Sequence, residues 1–210
     1  MKHYKKLVIT CCLFIFGFIA QAQVVKTQVK ESSIEDYIIL LKQKGYQSFS
    51  VDITSLQNET YVIEPIIKHF QKGKEVELAF SLGIAFTNRD DLTLSDNVKV
   101  GFSPTDNPNV RMLSFHVTET GAMTMPLLFD ERKNPETGEP DDSYGYRRFE
   151  IDGIEIGKFT PIALCGAYWY DTEDESFRFC GEYVLDPDLN DDILKSVEDY
   201  YIIGMIVTKQ

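Results

Sequence analysis

The spacing of apolar residues changes along the chain, and each change marks a different kind of element. Between residues 32 and 45 the spacing is helical. Ile34, Tyr37, Ile38 and Leu41 stand three and four apart and share one stripe. Ser32-Ser33-Ile34-Glu35 has the form of a capping box, and Gly45 supplies the left-handed residue that ends a helix. A helix is therefore expected over 34–44. From Phe49 the period drops to two: Phe49, Val51 and Ile53 alternate with Ser50 and Asp52, as in a strand with one face in a core. The longest alternation runs from Glu75 to Phe86, with Val76, Leu78, Phe80, Leu82, Ile84 and Phe86 on one side, and it predicts one long half-buried strand. Helical spacing returns near the end. Asn190 precedes Ile193, Leu194 and Val197, predicting a helix over 191–199 before a last strand at about 201–208.

Other short runs fit the same picture. Residues 61–70 read as a strand that Pro65 restricts to an edge, with a short helix as the alternative, and 97–102, 110–118 and 122–129 read as further strands. Phe149 to Ile156, centred on Asp152-Gly153, has the pattern of a hairpin closed by a two-residue type I′ turn. Residues 162–170 and 175–184 form a second hairpin. Many short strands with close turns and two short helices predict a mainly β (α+β) fold, an antiparallel β-sandwich or barrel-like domain. One domain over 23–210 is expected, with a long exposed loop at 130–145 that holds two prolines and two glycines.

Residues 1–22 stand apart. Lys2, Lys5 and Lys6 come without an acid, Leu7 to Ala20 is uncharged and apolar, and Ala20-Gln21-Ala22 is a small-residue cleavage site. Together these predict a secretory signal peptide cut before Gln23. The apolar run is shorter than the roughly 20 residues a membrane span needs, so no membrane span is expected in the mature chain. The destination is the periplasm, the cell surface or the extracellular space. Composition then narrows the partners. With 33 Asp+Glu against 21 Lys+Arg, the formal charge is −12. Such an acidic chain is unsuited to nucleic acid, where Lys and Arg neutralise phosphates, and to an electrostatic hold on anionic lipid.

Cleavage leaves two cysteines. A four-residue turn at Asp171-Thr172-Glu173-Asp174 sets Cys165 directly opposite Cys180, and an exported chain favours their oxidation to a disulfide. Two cysteines without a nearby histidine pair make a poor zinc site. The same register puts Leu164, Tyr168, Tyr170, Phe177, Phe179 and Tyr183 on one face, with Phe179 over Gly166. It puts Trp169 on the other, diagonal to Arg178 and within cation–π reach. Trp169, the only tryptophan, and Arg178 are the candidate ligand-binding residues.

The sequence carries no nucleophile elbow, zinc-protease helix or phosphate loop, and no catalytic residue is assigned. His69 and His116 lie far apart in the chain, each on a short strand pattern. Asp186-Pro187-Asp188-Leu189-Asn190 resembles the first half of a calcium loop, so Asp186, Asp188 and Asn190 are the metal candidates and calcium the cofactor to test. The loop lacks the glycine and final glutamate of an EF-hand, with Asp191 and Val197 in those places. A hairpin at Asp152-Gly153 would also oppose Glu150 and Glu155, a spacing that retaining glycosidases use. The reading that follows is a secreted, non-enzymatic binding module for a glycan or protein ligand. Its alternatives are a glycan-active hydrolase using acidic residues, or a structural subunit of the cell surface that donates or accepts an edge strand.

Overall fold

A computed structural model describes residues 34–57, 59–78, 83–87, 94–118 and 121–210; the signal segment read at 1–22 lies outside them. The helix α1 spans Ile34–Gln43, and the single-turn α2 spans Ile193–Ser196. The strands are β1 Gln47–Asp52, β2 Tyr61–Gln71, β3 Lys74–Val76, β4 Phe86–Thr87, β5 Leu94–Pro104, β6 Val110–Thr118 and β7 Ala122–Leu128, followed by β8 Tyr144–Phe149, β9 Phe159–Ala167, β10 Trp169–Asp171, β11 Ser176–Arg178, β12 Val184–Leu185 and β13 Asp199–Lys209. Among the described residues they form a four-stranded sheet in the order β1-β5-β6-β7 and a seven-stranded sheet in the order β12-β8-β9-β13-β2-β3, with β4 also on β2. A separate ribbon pairs β10 with β11. The pairing is antiparallel except between β12 and β8, and the two sheets make an open sandwich rather than a closed barrel.

Alternation in the strands explains the layers. On the four-stranded sheet Val98, Val100, Leu113, Phe115, Val117 and Leu127 point inward and are fully buried. They meet Tyr201, Ile203, Met205 and Val207 from β13, which lies between β2 and β9 with both backbone edges paired. The intervening Tyr200 and Ile202 point the other way, into a second cluster with Phe149 and Leu164. That face is covered by Phe179, Leu185, Ile193, Leu194 and Val197. Each such apolar side chain contributes about 1.5–3 kcal/mol when fully buried.

The first helix ends as expected. Gly45 has φ +82°, its N–H reaches Lys42 O at 2.9 Å and the Tyr46 N–H reaches Leu41 O at 3.1 Å, the two bonds of a Schellman motif. Ile38 and Leu41 nonetheless remain about half exposed, at 45% and 50%.

Four expectations are corrected. The long strand over 75–86 is broken. Phe70 faces Glu75 and Ile63 faces Phe86, so seven steps along β2 match eleven along the opposing chain, four more than a continuous ladder holds. Pro65 lies where neither β3 nor β4 pairs, on a strand that is otherwise interior. The hairpin at Asp152-Gly153 is absent. Ile151 joins the second cluster and Ile154 the first, so the chain crosses the sheet edge there instead of doubling back. The turn falls later, where the Lys158 N–H bonds Glu155 O at 3.1 Å and Gly157 takes φ +80°, as a type II turn requires. Finally, the helix over 191–199 is one turn, because Val197 is extended (φ −73°, ψ 119°) and enters the second core.

Candidate functional site

A cleft of about 790 Å³ opens where the 130–141 loop, the β10–β11 ribbon and the adjoining ends of β2 and β13 meet. Its walls hold Tyr168, Trp169, Tyr170 and Phe177 on the ribbon side and Asp130, Glu131, Arg132 and Lys133 on the loop side, with Gln71, Lys72, Glu198 and Asp199 at the base.

The loop is held by identifiable bonds. Asn134 Oδ1 accepts the N–H groups of Glu136 (2.9 Å) and Thr137 (3.2 Å), and Gly138 supplies φ +73° at the tip. Arg132 crosses the base: its Nη1 donates to Asp141 Oδ2 at 2.5 Å, to Ser143 O at 3.1 Å and to Tyr168 O at 3.0 Å. That last bond ties the loop to the aromatic wall. Two guanidiniums lie against the Tyr144 ring, Arg111 at 4.0 Å and Arg132 at 4.7 Å from its centroid. Burial pushes the Tyr144 hydroxyl above its ordinary pKa, although both arginines pull the other way. The loop ends at Ser143, since β8 begins with Tyr144.

At the base, Asp199 Oδ1 lies 2.7 Å from His69 Nε2, both side chains being about a tenth exposed, 9% and 11%. The other oxygen, Oδ2, accepts the Asp130 N–H at 2.9 Å. The His69 ring stacks on Tyr201 with centroids 4.0 Å apart and planes 3° from parallel. One buried carboxylate therefore anchors the start of the loop and orients an imidazole. Neither partner stood out in the sequence: the two are 130 residues apart, and only the β2–β13 pairing brings them together.

The ribbon explains the fate of the ligand candidates. Asp171 Oδ1 accepts the Glu173 N–H at 2.9 Å, starting the turn one residue later than expected, and Glu175 completes it with φ +49°. Trp169 then faces Arg178 directly rather than diagonally. The guanidinium turns to the carboxylates, Asp171 at 3.0 Å and Asp174, not to the indole. Trp169 is half-buried beside Phe179 at 6.2 Å, and the residue borders the cleft along with Tyr168 and Tyr170.

The disulfide expectation is corrected: both cysteines are free, Cys165 buried and Cys180 exposed. The register was misjudged because β9 does not continue into the ribbon. It pairs with β8 and β13, so Cys165 lies between Tyr146 and Tyr201 in the first core. Burial there raises the Cys165 thiol pKa well above its usual range. The predicted contact of Phe179 with Gly166 does occur, 3.0 Å from where a Cβ would stand.

A model of the family DUF5041, a domain of unknown function, matches residues 16–209. The chain belongs to the DUF5041 family. Comparison with curated proteins and with solved structures finds no match. In this DUF5041 domain the other candidate residues do not assemble into sites. Asp186 Oδ1 accepts the Asp188 N–H at 2.9 Å and Asp191 Oδ2 accepts the Asp186 N–H at 2.7 Å, so these carboxylates serve the local turn. Among the described residues no three His, Cys, Asp or Glu side chains gather as a metal site. Glu150 and Glu155 are not opposed either: Glu155 pairs with Lys158 at 2.6 Å, and the Glu150 N–H extends the pairing of β8 with β12 through Leu185 O at 2.8 Å.

Proposed function

We propose that this DUF5041 chain is an exported, non-enzymatic binding module and that its ligand is a glycan held in the cleft beside Trp169. The observation that carries the reading is the meeting of four aromatic residues with carboxylates along one cleft. Flat rings offer apolar faces to sugar C–H groups. Asp130, Glu131 and Glu198, with the amide of Gln71, offer acceptors and a donor for hydroxyls. Binding sites of this size combine apolar walls with a few polar groups in this way. Anchoring of the loop by Arg132 and Asp199 favours a preformed site, which lowers the entropic cost of binding. Export rests on the sequence of residues 1–22 and is checked by a secreted chain whose intact mass begins at Gln23.

The test is titration of the chain from Gln23 onward with a panel of oligosaccharides, followed by the emission of its single tryptophan and by calorimetry. A binding oligosaccharide should shift Trp169 emission, and Tyr170→Ala should weaken it by roughly tenfold, about 1.4 kcal/mol. Oligosaccharide binding that leaves the emission and the Tyr170→Ala affinity unchanged would place the site elsewhere; no binding across the panel would reject a glycan ligand.

A further inference from the structure

We propose that the free edge of β1 is a strand-addition site for an extended peptide that alternates apolar and basic residues. The site is a second cleft, of about 700 Å³, that shares no lining residue with the aromatic one. Its first wall is Phe49, Ser50, Val51 and Asp52. Successive strand residues point to opposite faces, so a cavity touching four in a row runs along the strand's edge.

The backbone of that edge is available. Among the described residues β1 is the terminal strand of its sheet and pairs with β5 alone. The Ile53 N–H bonds Asp96 O at 2.9 Å, in register with the Asp52–Asn97 pair, which sets the phase of the ladder. In an antiparallel pair every second residue turns its N–H and C=O toward the partner. Val51 and Phe49 therefore serve β5, while Ser48, Ser50 and Asp52 aim theirs outward. The Ser48 carbonyl confirms that direction: it accepts the Gln47 side-chain amide at 3.3 Å. The outward groups of Ser50 have no partner among the described residues.

The opposite wall and the rim define the occupant. Residues 150–154 run along the cleft without joining a strand. A Cβ added at Gly153 would meet nothing within 4 Å. Phe49, Val51 and Ile154, half-buried on the first core, form the apolar floor. The lining residues carry three carboxylates, Asp52, Glu150 and Asp152, against one guanidinium, Arg148. An added strand would seat its apolar side chains on the floor and present its basic ones to the carboxylates. The other edge of the same sheet behaves differently: β7 carries Pro126, a residue that blocks pairing at strand edges. β1 has no such guard.

The test uses the chain from Gln23 onward and two eight-residue peptides as probes, one alternating Lys and Val, the other alternating Glu and Val. Calorimetry measures affinity, and amide hydrogen exchange read by NMR measures pairing. The Lys–Val peptide should bind and slow exchange at Ser48, Ser50 and Asp52, and the Glu–Val peptide should bind roughly tenfold more weakly or not at all. Ser50→Pro removes an outward N–H without touching the β5 ladder and should abolish binding, whereas Ser50→Ala should not change it. Gly153→Trp should fill the cleft and weaken binding by roughly tenfold or more; it and the exchange data decide if Ser50→Pro does not fold. Failure of the Lys–Val peptide to bind would overturn the proposal. So would binding that leaves Ser50 exchanging freely, or binding that both Ser50→Pro and Gly153→Trp tolerate. Protection of these amides by a concentration-dependent dimer alone would assign the edge to a second copy of this chain instead.

Discussion

The two faces of the seven-stranded sheet are buried by different means. One packs against another sheet, and its partners Val98, Val100, Leu113, Phe115, Val117 and Leu127 leave no surface exposed. The other is covered by chain with little regular structure, through single anchors: Phe179, Leu185, Ile193, Leu194 and Val197. Strand on strand uses one period twice, so every second residue on both sides is committed. The second cover has no period, so each anchor is held by the turns on either side of it. The first face should therefore be the stiffer and costlier to damage. Phe115→Ala is expected to cost about 3–5 kcal/mol and Leu194→Ala about 2–3, measured by urea unfolding. Equal costs would break the contrast.

The same divide governs what could be read from the sequence. Residues 110–118 and 122–129 alternate, both are strands, and both supply the first core. The second cover misled, because Ile193, Leu194 and Val197 have helical spacing for a single turn only, and Cys180 lies in a segment with no ladder to fix its register. The long strand expected at 75–86 failed for another reason: alternation states which face a residue takes, but not whether a neighbour stays alongside. Of the aromatic cleft, Trp169 was legible as the only tryptophan on a turn-bounded ribbon. Arg132 with Asp141 and His69 with Asp199 were not, since nothing in either pair announces its partner before the fold does.

Adjacent tyrosines offer a comparison of the faces by pH. Tyr200 points into the second cluster and Tyr201 into the first. Burial pushes the Tyr200 pKa up to about 12 and the Tyr201 pKa well above the ordinary range. A raised pKa means that the unfolded chain releases the proton first. The stability is therefore intact below pH 10 and is lost as pH rises from there through the folded-state values. Tyr200 alone should account for on the order of 2 kcal/mol between pH 10 and 12. Tyr200→Phe and Tyr201→Phe should each flatten the alkaline decline, followed by circular dichroism at fixed urea. Tyr201→Phe should also weaken the neutral protein by about 1 kcal/mol, because its hydroxyl donates to Leu128 O at 2.5 Å. A decline unaltered in both variants would remove the tyrosines from the account.

Gly145→Ala tests the second cover at its tightest point. The Phe179 ring lies directly over Gly145 and 3.0 Å from a Cβ at Gly166, while the Arg147 guanidinium lies over that ring, 4.7 Å from its centroid. A methyl group at 145 must displace the ring, at an expected cost of about 1–3 kcal/mol. In a Phe179→Ala background that cost should disappear, because the obstacle is gone. An unchanged cost in the double variant would show that the strand backbone, not the ring, needs glycine.

The smallest expected effects on stability are at Trp169 and Arg178, where the comparison of faces meets the proposed function. The Trp169 ring leans on Phe179 at the margin of the second cluster, and the residue borders the cleft. A tryptophan in the first core would cost about 3–5 kcal/mol when cut to alanine. At this margin part of the ring already faces water, and Arg178 opposite is held by Asp171 and Asp174 without the indole. Trp169→Ala is therefore expected to cost about 1 kcal/mol, its transfer loss being confined to the covered part of the ring, while oligosaccharide binding is lost. Arg178→Ala should cost less still, since partly exposed ion pairs contribute about 0–1 kcal/mol, and should weaken binding only by loosening the ribbon. Urea unfolding and titration of the same variants separate the roles. If Trp169→Ala costs as much as Phe115→Ala, the indole is a core residue of the second face. Loss of binding in that variant would then report a collapsed ribbon, and the cleft would have no demonstrated ligand contact.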